Sequence, residues 1–189
     1  MSTLDKKDGI DPTERMRTVR VGDIMISLAD YPKVILDCSL GDAIKIMEES
    51  QLEVRGIKSL PRVLLVFDRN NQLVGTVRRR DIMRGLEPKF LVTEPLSYRK
   101  KLFDVQIDPN LTELSHDRVV KEMRQQAKRL VEEVMLPIEV SVDHDDHILK
   151  AIYEVVRQGA TLLPVFKDKK VVGVVRSVEL FHELALLVV

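Results

Sequence analysis

The stretches Asn71-Gln-Leu-Val-Gly-Thr-Val-Arg-Arg-Arg-Asp-Ile-Met-Arg84 and Lys169-Lys-Val-Val-Gly-Val-Val-Arg-Ser-Val-Glu-Leu-Phe-His182 decide the fold, because the second repeats the first. With Gly75 set on Gly173, Leu73-Val74 meets Val171-Val172, Val77-Arg78 meets Val175-Arg176, and Asp81-Ile82 meets Glu179-Leu180. Each stretch reads as a short apolar strand, a polar turn carrying a carboxylate, and an amphipathic helix. Self-similarity of this kind guides the architecture more strongly than any local propensity.

The repeat extends upstream. Val21-Gly-Asp-Ile-Met25 matches Val131-Glu-Glu-Val-Met135 at an offset of 110 residues, and Ser39-Leu-Gly-Asp-Ala-Ile44 matches His147-Ile-Leu-Lys-Ala-Ile152 at 108. The glycines lie only 98 apart, so the first copy holds about ten extra residues between its helix and its strand pair.

Two copies of one small α/β unit therefore fill most of the 189 residues. Units of roughly 60 residues bury little core alone, so they are expected to pack on each other. Lysines plus arginines equal aspartates plus glutamates at 30 each, which argues against a general nucleic-acid binder. The single cysteine, Cys38, excludes an internal disulfide and suits a reducing compartment. No apolar run approaches the roughly 20 residues of a membrane span, and the polar N-terminus does not read as a signal peptide. These features point to a cytoplasmic protein.

In chain order, residues 1–17 read as a flexible arm. Residues 18–87 form the first unit. Pro32 to Leu36 is extended, Ser39 caps a helix with Leu40, Ala43, Ile44 and Met47 on one face, and residues 49–62 are an inserted loop. Val63 to Phe67 and Leu73 to Val77 make a hairpin, Asp81 opens a helix, and Pro88 ends it. Residues 88–127 are a linker and a long helix. Phe90 to Thr93 reads as a short strand or packing segment. The helix starts at Ser115 or Asp117, and its apolar stripe runs from Val119 to Val134. Residues 128–189 form the second unit. Ile138 to Val142 alternates as a strand, a helix follows Asp143-His-Asp-Asp-His147 and stops at Gly159, and a hairpin turns at Lys167 to Lys170. The apolar tail Leu184 to Val189 is expected to be buried.

The entry pattern Val-x-Asp/Glu-Ile/Val-Met, the strand Leu163-Pro-Val-Phe166 and the apolar pair before each repeated glycine together resemble the cystathionine-β-synthase (CBS) domain, here as a tandem pair or Bateman module. The resemblance implies an α/β (α+β) fold. Each unit would be a small three-stranded sheet with two helices, and the two would pack with pseudo-twofold symmetry. It also implies a cleft between the units for an adenosine ligand: AMP, ADP, ATP or S-adenosylmethionine. Asp81 stands where the family's ribose-binding aspartate belongs, and Glu179 takes that place in the second copy. Arg78 and Arg176 replace the family's Thr or Ser, and an arginine can grip phosphate with two prongs. Gly75 and Thr76 belong to the same turn. Ile138, Val140, Leu163 and Pro164 fall in the segments that wrap the adenine in the family.

Plainer explanations exist for the other polar groups. Asp81 can serve as a helix cap, and Arg79 and Arg80 as solvated side chains. The Asp143 to His147 cluster has metal-binding residue types, but its contiguous spacing suits Asp145 or Asp146 as a cap. Cys38 has no base beside it, and Glu132 and Glu133 read as surface charge. No catalytic constellation is legible, so an enzyme is not expected, and neither is a metal. The expectation is a regulatory module that senses an adenine nucleotide, forms a homodimer and acts on an effector protein. The alternative is a degenerate pair used for dimerisation or docking without nucleotide. A third reading is a metal-dependent hydrolase using His144 and His147.

Overall fold

The computed structural model describes residues 12–54, 56–88 and 116–188. The arm up to residue 11 and the segment Phe90 to Thr93 lie outside them. The chain divides into two compact units whose membership cuts across the sequence repeat. One holds residues up to Tyr31, Leu52–Lys58 and Ile138–Val189; the other holds Pro32–Gln51 and Ser59–Pro137.

The first of these units begins with helix α1 (Pro12–Thr18), where the sequence suggested a flexible arm. A short helix α2 (Val21–Ile24) and strand β1 (Ile26–Ser27) follow. The second unit takes over with β2 (Lys33–Ile35) and α3 (Leu40–Glu49), capped by the Ser39 hydroxyl, which accepts from the Asp42 amide. The expected loop of the insertion contains a two-stranded ribbon, β3 (Leu52–Val54) and β4 (Ile57–Ser59). Strands β5 (Val63–Phe67) and β6 (Leu73–Arg78) form the hairpin, and α4 (Arg79–Leu86) leaves it. Helix α5 (His116–Gln126) is shorter than its apolar stripe suggested. The chain leaves it for a 3-10 turn at Val131–Glu133 and strand β7 (Leu136–Pro137).

The stretch from Ile138 to Val142 alternates like a strand, yet only β8 (Val142–Asp143) pairs. Helix α6 (Ile148–Gln158) stops at Gly159, whose φ of 60° is left-handed. Strands β9 (Leu162–Lys167) and β10 (Lys170–Arg176) turn through Asp168 and Lys169. Both have positive φ, as a two-residue hairpin turn requires. Helix α7 (Ser177–Val188) closes the chain.

Each sheet carries the three expected strands and a fourth. The orders are β2-β5-β6-β7 and β1-β10-β9-β8. In each case the fourth strand is the entry strand of the other sequence copy. Ile26 and Ser27 pair with Val174 and Gly173, and Leu136 and Pro137 pair with Thr76 and Gly75. The repeated glycines permit this exchange. A Cβ on Gly75 would stand 2.6 Å from the Leu136 carbonyl oxygen and 2.9 Å from Met135 Sδ, and one on Gly173 would strike the Ile26 carbonyl.

Each unit has its own apolar core. One gathers Val21, Ile148, Ala151, Leu163, Val165, Val175 and Leu180; the other gathers Leu40, Ala43, Leu64, Val66, Val77 and Val131. The apolar tail is less buried than its composition suggested, since Leu187 and Val188 are exposed. The buried residue of α7 near that end is Glu183, which takes an ion pair from Arg15 of α1 at 2.9 Å. That pair fastens the N-terminal helix to the last one.

Candidate functional site

Both repeated turns run from the end of a strand into a helix, and both are built the same way. At the first, Arg78 is the N-cap of α4 with extended backbone, φ −97° and ψ 158°. Its amide donates to Asp81 Oδ2 at 3.1 Å, so the carboxylate three residues on closes the helix start. The Arg78 side chain returns to the same carboxylate, Nε to Oδ2 at 2.7 Å and Nη2 to Oδ1 at 2.9 Å. At the second turn the Arg176 amide donates to Glu179 Oε2 at 3.1 Å. Its Nε reaches both oxygens, and its Nη2 bonds closely to Oε1. The same carboxylate cap recurs at the entry segments, where Asp23 accepts from the Arg20 amide and Glu133 from the Leu130 amide. Capping thus gives Asp81 and Glu179 a structural role before any ligand is considered.

The two turns differ in what remains free. An ionised carboxylate offers about four acceptor positions. The Glu179 carboxylate receives four contacts from three N–H groups of Arg176, the Nε–H being shared between both oxygens. Asp81 receives three from Arg78, and Oδ1, with the exposed Arg80 Nε 4.0 Å away, keeps capacity for one further hydrogen-bond donor. Burial works to raise the Asp81 pKa, but the hydrogen bonds and charge of Arg78 outweigh it, and Asp81 lies below the ordinary carboxylate range. Tyr31, itself buried, lies near enough to Arg176 and Glu179 to feel both charges, and burial pushes its hydroxyl pKa well up. Tyr31 carries no motif, and 145 positions of sequence separate it from Arg176, so nothing local announced that proximity.

The other predicted residues lie in the strands and in the run before β8. Gly75 and Thr76 lie in β6, and Gly75 is where β7 approaches closely. Leu163 is wholly buried in the core of its unit opposite Val175, and Pro164 is buried opposite Val174. Ile138 and Val140 are half-buried in the irregular run before β8.

The histidine cluster is occupied by local bonds. Neither Asp145 nor Asp146 caps α6. His147 does, its Nδ1 accepting from the Leu149 amide while Nε2 donates to the Arg17 carbonyl, both at 3.2 Å. Asp146 accepts from the Asp143 amide and from Lys150 Nζ, and the His144 ring packs against Gly22. Among the described residues no group of His, Cys, Asp and Glu is placed to hold a metal ion. Burial pushes the Cys38 thiol pKa up, and the thiol donates to the Ser39 carbonyl. Two open hollows, of about 410 and 320 Å³, are lined by groups such as Asp37, Arg69 and Glu132, or Ile35, Cys38 and Phe67. None of the sequence-predicted ligand residues lines either. Among the described residues, no helix is long and apolar enough to cross a membrane.

Comparison with known proteins fits this geometry. The family model for the CBS domain matches twice, at residues 21–88 and 131–186. No curated protein matches the sequence. Among solved structures, the CBS domain of a CBS-domain-containing membrane protein from Sphaerobacter thermophilus is 22% identical, with 90% of this chain and 91% of that one covered and a TM-score of 0.64. A CBS-domain-containing protein of unknown function from Bacillus anthracis is 18% identical over 92% and 98%, with a TM-score of 0.61. CBSX2, a protein of Arabidopsis thaliana, has been solved in complex with AMP; that complex is 18% identical over 88% and 96%, with a TM-score of 0.56.

Proposed function

The chain belongs to the CBS-domain family, and on that premise we propose that it is a regulatory module which takes an adenosine ligand at its first strand–helix turn. The ligand is AMP, ADP, ATP or S-adenosylmethionine. The observation that carries the reading is the open acceptor position on Asp81, a carboxylate that Arg78 keeps ionised and oriented. A ribose hydroxyl is the donor such a position suits. The AMP complex of CBSX2 supports the ligand class. The bound state passes to a partner protein by population shift, which requires the ligand to bind two arrangements of the module with different affinity.

Self-association belongs to the same proposal. Leu149, Tyr153 and Val156 lie exposed along one stripe of α6, and Val178 and Phe181 lie exposed on α7. Apolar surface of that kind favours a homodimer. A second reading, a docking scaffold without nucleotide, is favoured by the saturated Glu179 carboxylate and by the capping duty of Asp81.

Isothermal titration of the whole chain with the four adenosine compounds separates the readings. Saturable binding that Asp81→Asn weakens tenfold or more supports the sensor (about the value of a hydrogen bond to a charged group). No binding by any of the four supports the scaffold.

A further inference from the structure

We propose that Arg79 is an oxyanion-binding residue, and that it holds a phosphoryl group at the first strand–helix turn, with no counterpart at the second. Arg79 opens α4, and its amide donates to the Arg62 carbonyl at 3.2 Å. Its side-chain Nε and Nη2 are buried and meet no acceptor among the described residues. These two N–H groups form one edge of the guanidinium. Arg78 and Arg176 use the same edge to grip their carboxylates. That edge matches the spacing of two oxygens on a carboxylate or a phosphate.

A guanidinium with one edge buried cannot relieve its situation by losing a proton, because its pKa stays above the physiological range. Left without an acceptor, that edge forfeits hydration and gains nothing in return. An anion resolves this. The described residues bring no carboxylate to it, and the neighbouring arginines are differently placed: Arg78 is committed to Asp81, and Arg80 is exposed. Three arginines against one aspartate leave residues 78–81 with excess positive charge, which favours an anion there despite Asp81. The repeat supplies an internal control, since Ser177 follows Arg176 where Arg79 follows Arg78. Choosing a phosphoryl group rests on the adenosine reading above, because that ligand places phosphate beside the ribose that Asp81 would hold.

The test uses the whole chain with Arg79→Met, which keeps the apolar stem and removes the fork, and with Arg79→Lys. Arg80→Gln is the control for general charge. The probes are adenosine, AMP, ATP and inorganic pyrophosphate, read by titration and by melting temperature. Without ligand, Arg79→Met is expected to melt at or above the wild type. A clear drop would mean that the fork has an acceptor in the protein, and would overturn the proposal. Wild type is expected to bind AMP and ATP more tightly than adenosine. Arg79→Met should reduce that preference about tenfold, Arg79→Lys should restore part of it, and adenosine affinity should not move. A preference that survives Arg79→Met, or that never exists in wild type, overturns the Arg79 assignment and leaves the adenosine reading standing. If no adenosine compound binds, the adenosine reading falls. Stabilisation by pyrophosphate that Arg79→Met abolishes then upholds the anion site, and its absence overturns it.

Discussion

Arg78 and Asp81 meet edge to edge, Nε to Oδ2 at 2.7 Å and Nη2 to Oδ1 at 2.9 Å, on a carboxylate only 5% exposed. The same arrangement joins Arg176 to Glu179. Sequence alignment of the repeat foretold the placement of both pairs but not that each arginine would turn inward on its own carboxylate.

Acid should weaken the first pair. The folded pKa of Asp81 is lowered from its ordinary 3.8. Its contribution is therefore fully present above that value and is lost as pH falls through the lowered folded value. Denaturant titrations at pH 7, 5 and 3 should show wild type losing more stability below about pH 4 than Asp81→Asn does. Parallel curves for the two proteins would mean that the pair contributes nothing. At pH 7, Arg78→Met should cost about 1–3 kcal/mol, because it strands a buried carboxylate on one backbone amide.

The repeated glycines should tolerate no side chain. Gly75→Ala would drive a methyl into the Leu136 carbonyl, and Gly173→Ala into that of Ile26. Both partners are backbone in paired strands and cannot swing aside. Each substitution should destabilise by about 1–3 kcal/mol. Amide exchange should quicken selectively at β7 for Gly75→Ala and at β1 for Gly173→Ala. Uniform quickening would show that the entry strands are not the points of strain.

The repeat, the helix-strand-strand-helix order, the Ser39 cap and the Gly159 stop were legible because each is written locally, by spacing or by a residue with one conformational use. The exchange of entry strands was not. Ile26 and Val174 are 148 residues apart, and two-residue strands carry no pattern that names a sheet edge. The alternation from Ile138 to Val142 misled for a related reason. Period two records alternating burial, and here an unpaired run alternates as a strand does. Arg79 was hidden by composition, since an arginine beside two others at a turn reads as solvated charge until its nitrogens are found buried.

His147 should behave as a cap and not as a metal ligand. Its Nδ1 accepts from the Leu149 amide, so His147→Ala should cost about 1 kcal/mol, and His147→Asn should recover most of that. Zinc should leave the melting temperature of wild type unchanged. A zinc-induced rise that His147→Ala removes would restore the metal reading.

Self-association should depend on the outward side of α6 and α7. Phe181 is 70% and Val156 76% exposed. A charge placed at either should disfavour an apolar interface without disturbing the core. Sedimentation should therefore give a dimer for wild type and a monomer for Phe181→Glu with Val156→Glu, at unchanged helix content. A wild-type monomer would remove the homodimer from the proposal, and a dimer that survives both changes would move the interface elsewhere.

The two turns should divide the labour unequally. Glu179 accepts four contacts from Arg176 and lies near the buried Tyr31, whereas Asp81 keeps one acceptor position. A ligand at the second turn would have to break Arg176 contacts before gaining its first hydrogen bond to Glu179. Titration should accordingly saturate at one adenosine ligand per chain. Asp81→Asn should weaken it tenfold or more, while Glu179→Gln should leave affinity within about twofold, a difference of roughly 0.4 kcal/mol. Glu179→Gln should instead lower the melting temperature, because Arg176 loses its buried anion. Two ligands per chain, or a Glu179→Gln protein that folds normally and binds poorly, would place the working site at the second turn and make the first a cap and nothing more.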